Sequence, residues 1–532
     1  MLALVTAPGA AAPDAAVVAE AMRRSVEELR SLGRIEVAGV PVLSARALPA
    51  FYESREFAPL WTARGPVDAL LGEIVAAEGD GLDPRDYHFA TLRKALQRRA
   101  ARPDDPAAAA EVDLLLTDAL IRLAAHLHFG RVDPQSLSPR WDLTGTVGGR
   151  DAVAVLTGLA GSKALALQLG DLRPDQPLYG RLKAALARYR FIAADGGWPR
   201  LGAGAVMNEG MTSDVVPSLR RRLALTGDYT GSTSDSRQFD APLRDALRRF
   251  QDRHGLAADG VLGPATGQAL DRPVEARIDE VRVNLERARW LLPEIRGRFL
   301  LLDPAGQRVE LAENSMTVHV QAATFAPLKG HVPTFRASLS YLVVNPDWTL
   351  PPGLVESQVA PLATRAPEAL EALGLVLRDR SGRTLAVDAV DWSDPGAVVV
   401  HQLAAPRSFL GAVRFALPNP HQVTLHGGSA DAPLAGSVRI AKPLALAARL
   451  LELRGAQVSW SVDALAELAA SGVTRSLALG DAVPVLHAPW TVWVTAEGTV
   501  QFRRGFETDD AALLAALTRS APRSPAPLRT RR

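Results

Sequence analysis

The hydrophobic pattern changes period once along this chain, near residue 275, and that switch demands separate helical and β-rich parts rather than one uniform architecture. Before it, apolar residues recur at helical spacing. Residues 17–32 form one such run. Residues 107–130 form another, with Leu114, Leu115, Ala119, Ile121, Leu123 and Leu127 at the apolar positions and Gly130 as the stop. Turn residues separate these helices: Gly79-Asp80-Gly81, Asp83-Pro84, Arg102-Pro103, Asp133-Pro134, and Gly196-Gly197 with Pro199. Past the switch, a last helical stretch over 274–290 gives way to β-rich runs at 299–302, 316–320, 338–344, 397–402, 413–416, 422–425 and 491–494. Helical patterns near 354–373 and over 443–453 interrupt them, the second with Pro443 at a first-turn position. No internal repeat is evident.

Just before the switch, residues 212–272 read as a compact three-helix unit. Ser213 is the expected N-cap of the first helix. The second runs from Pro242 to His254, with Leu243, Ala246, Leu247 and Phe250 on one face, and Gly255 ends it. A loop over 257–263 leads to a third helix from Pro264.

At roughly 100–200 residues per domain, a chain of this length holds about three domains. The expected fold class is α+β multidomain, comprising a helical scaffold over 14–211, a three-helix module over 212–273 and a β-rich domain with a helical insertion over 274–515. The first 13 residues, apolar with small side chains but lacking a basic start, read equally as a truncated signal remnant or as an alanine-rich lead-in. Residues 516–532 read as a disordered basic tail.

Composition narrows the function classes. With 47% hydrophobic and 22% charged residues the composition is that of a folded globular protein, and wholesale disorder is not expected. Its 60 basic and 58 acidic residues nearly cancel, leaving no electrostatic footprint for nucleic acid. There is no cysteine, which excludes disulfides, thiolate metal sites and thiol nucleophiles, and fits oxidising and reducing compartments alike. No run of 18 apolar residues is present to span a membrane. His126 and His128 lie two apart on a helix and do not share a face, and no carboxylate–histidine motif suggests a metal or other cofactor.

The three-helix unit carries Phe250-Gln251-Asp252-Arg253-His254-Gly255-Leu256 followed by Asp259-Gly260-Val261-Leu262-Gly263-Pro264-Ala265-Thr266. This resembles the peptidoglycan-binding module of cell-wall enzymes. Its glycines allow tight turns, with Phe250 and Leu256 filling a small core. The likeness spreads outward to the large Gram-negative L,D-transpeptidases. Upstream it rests on Leu60-Trp61, Asp80-Gly81-Leu82-Asp83-Pro84-Arg85-Asp86-Tyr87, Thr117-Asp118-Ala119, Gly130-Arg131-Val132-Asp133-Pro134 and Gly196-Gly197-Trp198-Pro199, with Leu219-Arg220-Arg221-Arg222-Leu223 and Gly227-Asp228. Downstream it rests on Asn284-Leu285-Glu286-Arg287-Ala288-Arg289-Trp290, Asn345-Pro346-Asp347-Trp348-Thr349-Leu350-Pro351-Pro352, Gly498-Thr499-Val500-Gln501-Phe502-Arg503 and Asp509-Asp510. It covers roughly residues 45–515 in one continuous order.

The resemblance implies acyl transfer by a cysteine thiolate, with a histidine as proton acceptor and backbone amides stabilising the oxyanion. In the family a first histidine ends a strand, and Ser/Thr-His-Gly-Cys-hydrophobic-Arg follows a loop. Here His426 matches the first histidine, Gly436 the glycine and Arg439 the arginine. Ser437 stands in place of the cysteine, Ala435 in place of the second histidine and Leu434 in place of Ser or Thr, and the loop is several residues shorter. Ser429 is a rival nucleophile, but it lacks the G-x-S-x-G elbow and reads as a loop serine. No carboxylate evidently orients His426, Asp431 being merely near in sequence.

Two readings follow. In the first, the site has lost acyl transfer and the chain binds peptidoglycan in the periplasm, scaffolding or regulating other wall enzymes, with Trp348 and Arg439 as candidate contacts to stem peptides. Trp348 reads equally as a core tryptophan and Arg439 as a brace for its own loop. In the second, Ser437 is the nucleophile of a transferase or hydrolase and His426 its base.

Overall fold

The computed structural model describes residues 13–137, 158–159, 162, 164–202, 206–293, 297–314, 316–326, 334–404, 408–428, 436–452, 460–504 and 507–519. The expectations attached to residues 1–12, to Ser429, Asp431, Leu434 and Ala435, and to residues 520–532 lie outside them. The chain forms two compact units. One takes the described residues up to Leu137, those of 144–294 and those from Thr491 onward; the other takes those of 295–490.

The helical unit is organised around the helix Pro106–Phe129, which Asp105 caps through the Ala107 and Ala108 N–H groups. Every residue from Val112 to Ala124 is buried. Such a helix is normally apolar all round, yet Asp113, Thr117 and Asp118 are buried on it and each satisfies backbone or side-chain donors. Asp113 accepts the Leu60 and Trp61 N–H groups at 2.8 and 2.9 Å and the Tyr52 hydroxyl at 2.7 Å. Thr117 Oγ1 accepts the Trp61 indole N–H at 2.9 Å. Asp118 accepts the Leu43 and Ser44 N–H groups at 3.0 and 2.7 Å. The motif residues Leu60-Trp61 and Thr117-Asp118 are therefore two halves of one lock, which pairs chain ends that burial would otherwise orphan.

A second polar lock sits on the helix Val274–Leu291. Glu286 is fully buried, pairs with Arg289 and accepts the Val132 N–H at 2.7 Å. Arg289 also donates to the Asp80 carbonyl at 2.8 Å and to the Tyr179 hydroxyl at 3.0 Å. Gly130 (φ 86°) lets the chain pass this helix, because a Cβ there would lie 2.5 Å from Trp290 Nε1. The same helix holds the returning C-terminal segment. Asn284 and Arg287 donate to Thr491 Oγ1 at 2.8 and 3.0 Å, and Arg287 pairs with Asp510 at 2.6 Å. The hairpin of Val492–Val494 and Val500–Phe502 and the helix Glu507–Thr518 thus belong to the helical unit. The boundaries drawn from sequence at 274 and 515 differ from this division. Polar motif residues look alike in sequence whether they line a site or lock a core. The last helix also enters the stretch read as a disordered tail, where Leu517 is buried against Val283 and Val132.

The three-helix module forms as expected, with helices Val216–Leu225, Ala241–Arg253 and Pro264–Leu270 around Leu219, Leu223, Phe239, Leu247 and Phe250. Its first helix begins later than Ser213 suggests; the serine hydroxyl accepts the Val215 N–H at 3.3 Å. Buried Gln251 fixes the Asp259-Gly260-Val261 turn. Its amide donates to Asp259, the Val261 carbonyl and Thr266, and its oxygen accepts the Gly260 N–H at 2.8 Å. Phe250 is fully buried and Leu256 packs at the rim of that core.

The second unit is a closed eight-stranded barrel. Its strands are β1 (Arg298–Asp303), β2 (Arg308–Glu313), β3 (Met316–Phe325), β4 (Phe335–Val344), β5 (Val413–Phe415), β6 (Thr424–His426), β7 (Ser437–Ile440) and β8 (Arg475–His487). They follow the order β5-β6-β7-β3-β2-β1-β8-β4, with β4 closing onto β5. The pairs β6–β7 and β8–β1 are parallel and the others antiparallel. Leu300, Val309, Leu342, Phe415, Leu425 and Val438 fill the core beside the helix Pro443–Glu452. The longest strand, β8, escapes the sequence reading because Gly480-Asp481 and Pro484 look like turn residues. In the structure the ladder to β4 shifts register between Ala478 and Val483; that bulge absorbs Gly480 and Asp481, while Pro484 stays in the ladder opposite Ser338. Between β4 and β5 lies a four-stranded sheet (Trp348–Thr349, Val399–Gln402, Leu375–Arg378, Thr384–Leu385 in spatial order) with short helical segments over 352–372.

Candidate active site on the barrel

Alternation along the strands places the site. Val413, Phe415, Leu425, Val438 and Ile440 point into the core, so the residues between them point outward. The register pairs Arg414 with His426, His426 with Arg439, and Arg439 with Thr324. Four side chains therefore form one row across β5, β6, β7 and β3 on the outer face. Ser437 faces the same way, paired with Thr424. Two residues along and one strand across put its Cα about 8 Å from that of His426.

His426 ends β6, as the sequence suggests, and the chain behind it is held tightly. The Gly427 N–H donates to the Val413 carbonyl at 3.0 Å. A Cβ on Gly428 would lie 1.7 Å from the Phe409 carbonyl oxygen, so only glycine fits there. The Gly428 N–H in turn donates to His426 Nδ1 at 2.9 Å. A neutral imidazole whose Nδ1 accepts carries its proton on Nε2. That Nε2 is buried and, among the described residues, makes no hydrogen bond of ordinary geometry. The imidazole is 1% exposed. Burial, then the positive charge of Arg439, outweighs the Leu410 carbonyl and lowers its pKa to about 4.

Gly436 adopts φ 75°, the left-handed region that favours glycine, and its carbonyl accepts the Thr424 N–H at 3.1 Å. Ser437 opens β7, is 4% exposed, and its carbonyl accepts the Ala326 N–H at 2.9 Å. No hydrogen bond joins its hydroxyl to His426, the link a serine–histidine pair needs. Arg439 is half-buried, and one Nη2 donates to Thr324 Oγ1 at 3.1 Å.

The remaining sequence candidates lie elsewhere. Trp348 packs on the inserted sheet and its indole N–H donates to buried Gln402 at 2.9 Å, so its polar group is already used in bracing that sheet. His126 contacts the Tyr87 hydroxyl and His128 the Leu172 carbonyl. Among the described residues no group of three metal-ligating side chains occurs, and no helix is long and apolar enough to cross a membrane. The sequence reading missed Arg414 and Thr324. The signal for Arg414 was present, since one polar residue between Val413 and Phe415 in a strand must face away from the core.

Residues 46–186 match the family described as Scaffold domain, and residues 212–270 match the Putative peptidoglycan binding domain. The scaffold match, the peptidoglycan-binding match and the β-rich barrel follow one another in that order along the chain. No curated protein matches the chain. Among solved structures, the crystal structure of the L,D-transpeptidase (residues 123-326) from Xylanimonas cellulosilytica DSM 15894 matches at 17% identity, covering 54% of this chain and 98% of that chain. Its TM-score is 0.15, and a superposition that poor carries no argument about the barrel.

The depressed His426 pKa has a consequence for stability. A histidine ordinarily titrates near 6.5, so the unfolded chain takes up this proton more readily than the folded one. The stability it contributes is complete above about pH 6.5 and falls as the pH drops towards 4, by about 3 kcal/mol for this one group. Thermal unfolding followed from pH 7 to 4 is expected to weaken more steeply in the wild type than in His426→Gln. Parallel slopes would mean that the folded imidazole takes up its proton normally.

Proposed function

We propose that this chain is a peptidoglycan-binding protein on the large L,D-transpeptidase architecture that does not carry out acyl transfer, and that it works in the periplasm as a scaffold or regulator of wall remodelling. The observation carrying this reading is the state of His426. Its only lone pair is engaged by the Gly428 N–H, and it makes no hydrogen bond to the serine that replaces the family's nucleophile. The absence of cysteine from the whole chain supports the same reading. So does burial, since Ser437 and His426 are nearly closed to solvent. The peptidoglycan-binding domain supplies the means of attachment to the wall.

The alternative, a Ser437-dependent transferase or hydrolase acting on stem peptides, draws on the shared face of Ser437 and His426. Intact-protein mass spectrometry separates the two. After incubation with a tetrapeptide muropeptide, or with a carbapenem, the wild type is expected to show no adduct while still sedimenting with purified sacculi. An adduct present in the wild type and absent from Ser437→Ala would establish a serine acyl-enzyme and overturn the proposal.

A further inference from the structure

The strand β3 is longer than the neighbour that closes the barrel beside it. It pairs with β2 over Met316 to Ala322, but with β7 only over Ala323, Thr324 and Phe325. Past Ile440 the chain leaves the line of β7 and enters the helix Pro443–Glu452. The Ala326 N–H donates to the Ser437 carbonyl and the Ala441 N–H to the Ala322 carbonyl, whereas the Ala323 N–H donates to Gln307 on the β2 side. By that alternation Val320 turns its N–H and C=O towards the gap beyond β7, and among the described residues neither group is bonded there. The residues flanking it are in the same state. Gln321 is 9% exposed, yet both ends of its carboxamide lack a partner among the described residues, as does the buried Nε2 of His319. Orphaned polar groups are rare in a folded protein, and here they gather on three consecutive residues.

The strand is also unguarded. A long free edge invites another strand, and proteins blunt such edges with charges, proline or bulges. β8 overruns β1, and it carries Arg475, the Gly480-Asp481 bulge and Pro484. β4 overruns β5, and it carries Arg336, while the Ala416 N–H donates to its Tyr341 carbonyl. From Met316 to Phe325, β3 has no Lys, Arg, Asp, Glu or Pro. Its Met316 and Val320 side chains are 65% and 50% exposed.

We propose that this free edge of β3 is a self-association edge, onto which the same strand of a second copy adds antiparallel about a two-fold axis. The occupant of the gap has to supply backbone donors and acceptors to Val320. It has to be polar on the side of His319 and Gln321, apolar on the side of Val320, and uncharged throughout. β3 itself meets that description, with His319 and Gln321 on one face and Val320 and Ala322 on the other. Antiparallel pairing of this run with itself sets no like charges opposite one another. A carboxamide and a neutral imidazole are each donor and acceptor at once, so two copies of these residues satisfy each other. The two-fold axis closes the contact after two copies and leaves no edge to propagate. Six residues of edge bury less than the roughly 1,200 Å² of a standard stable interface, so the dimer is reversible. Such a dimer carries two copies of the domain matched as peptidoglycan-binding, and two modest attachments to one wall act as a stronger one. The pairing rests on the barrel alone and does not depend on the function proposed above.

The test is sedimentation velocity of the full chain from about 1 to about 100 µM, where a monomer–dimer equilibrium is expected. Val320→Lys places a charge on the edge without touching the core, and is expected to weaken the dimer at least tenfold. Thermal unfolding checks that this variant is folded, and Thr317→Lys on the same exposed edge repeats the test if it is not. The chain has no cysteine, so a single introduced thiol reports cleanly. Thr317→Cys is expected to cross-link into a dimer with a short bismaleimide, and to stop doing so when combined with Val320→Lys. Val473→Cys, at a residue 61% exposed outside β3, is the control expected to stay monomeric. A wild type that is monomeric throughout the range overturns the proposal. So does a dimer that Val320→Lys leaves intact, or cross-linking that is no better at Thr317 than at Val473, since either places the contact elsewhere.

Discussion

Replacing Ser437 by cysteine is expected not to create an L,D-transpeptidase. The substitution puts the nucleophile that the resemblance implies at the position matched to it, so a site lacking only its sulfur would recover. The structure places a second obstacle beside it. A thiol must lose its proton to attack, and the nearest candidate base offers no free lone pair, because Nδ1 accepts from Gly428 and Nε2 carries the proton. Turning the ring over would put a carbon where Nδ1 stands and forfeit the Gly428 N–H bond. A pKa near 4 also makes the imidazole a weak acceptor at neutral pH. Loss of nucleophile and base as a unit costs about six orders of magnitude in turnover in enzymes built this way, and restoring one member alone recovers little. The expected result for Ser437→Cys is therefore no thioester and no cross-linked product with a tetrapeptide donor, read by intact mass and by product analysis. A thioester on Cys-substituted protein would show that His426 reorients readily and that the serine alone silences the site.

Much of the architecture was legible in the sequence, and the reasons differ by element. The module over 212–270 declared itself because its turn residues do a geometric job. Gly260 sits at φ 78°, where a Cβ would lie 2.7 Å from Arg244 Cγ, and Gln251 must reach back to that turn. The strand end was legible to within one residue, since the β-rich run read over 422–425 stops just short of His426, and it was the resemblance that put the histidine at the strand's end. The register across the barrel was not. Pairing between β5, β6 and β7 is non-local, and nothing in the run of residues 413–439 says that Arg414, His426 and Arg439 share a row. The state of His426 was also hidden, since which nitrogen carries the proton depends on a glycine amide two residues on. The returning C-terminal segment was misjudged for a third reason. Asp510 and Arg287 sit far apart in sequence, and only folding joins them.

The same distinction between motif and mechanism bears on stability. Glu286→Ala is expected to destabilise the helical unit by about 3–5 kcal/mol, a large part of the ~5–15 kcal/mol that holds a typical domain together. The carboxylate is fully buried and serves two donors at once, the Val132 N–H and the Arg289 guanidinium. Removing it leaves that amide without a partner and a buried cation without its counter-charge. The Asp80 carbonyl and the Tyr179 hydroxyl, which Arg289 also contacts, are neutral and compensate only in part. Urea unfolding followed by tryptophan fluorescence measures the change, with exposed Glu368→Ala in the other unit as a control expected to stay within about 0.5 kcal/mol of wild type. A loss below about 1 kcal/mol for Glu286→Ala would mean that water or a rearranged Arg289 replaces the pair. The residue belongs to the Asn284–Trp290 motif by which the sequence resembles a wall transpeptidase, yet it lies in the helical unit and not on the barrel. A large stability loss here, with sedimentation on purified sacculi unchanged for any protein that remains folded, would show that this motif maintains the scaffold. Such a motif is needed whatever chemistry the barrel carries out, because the scaffold has to fold in either case.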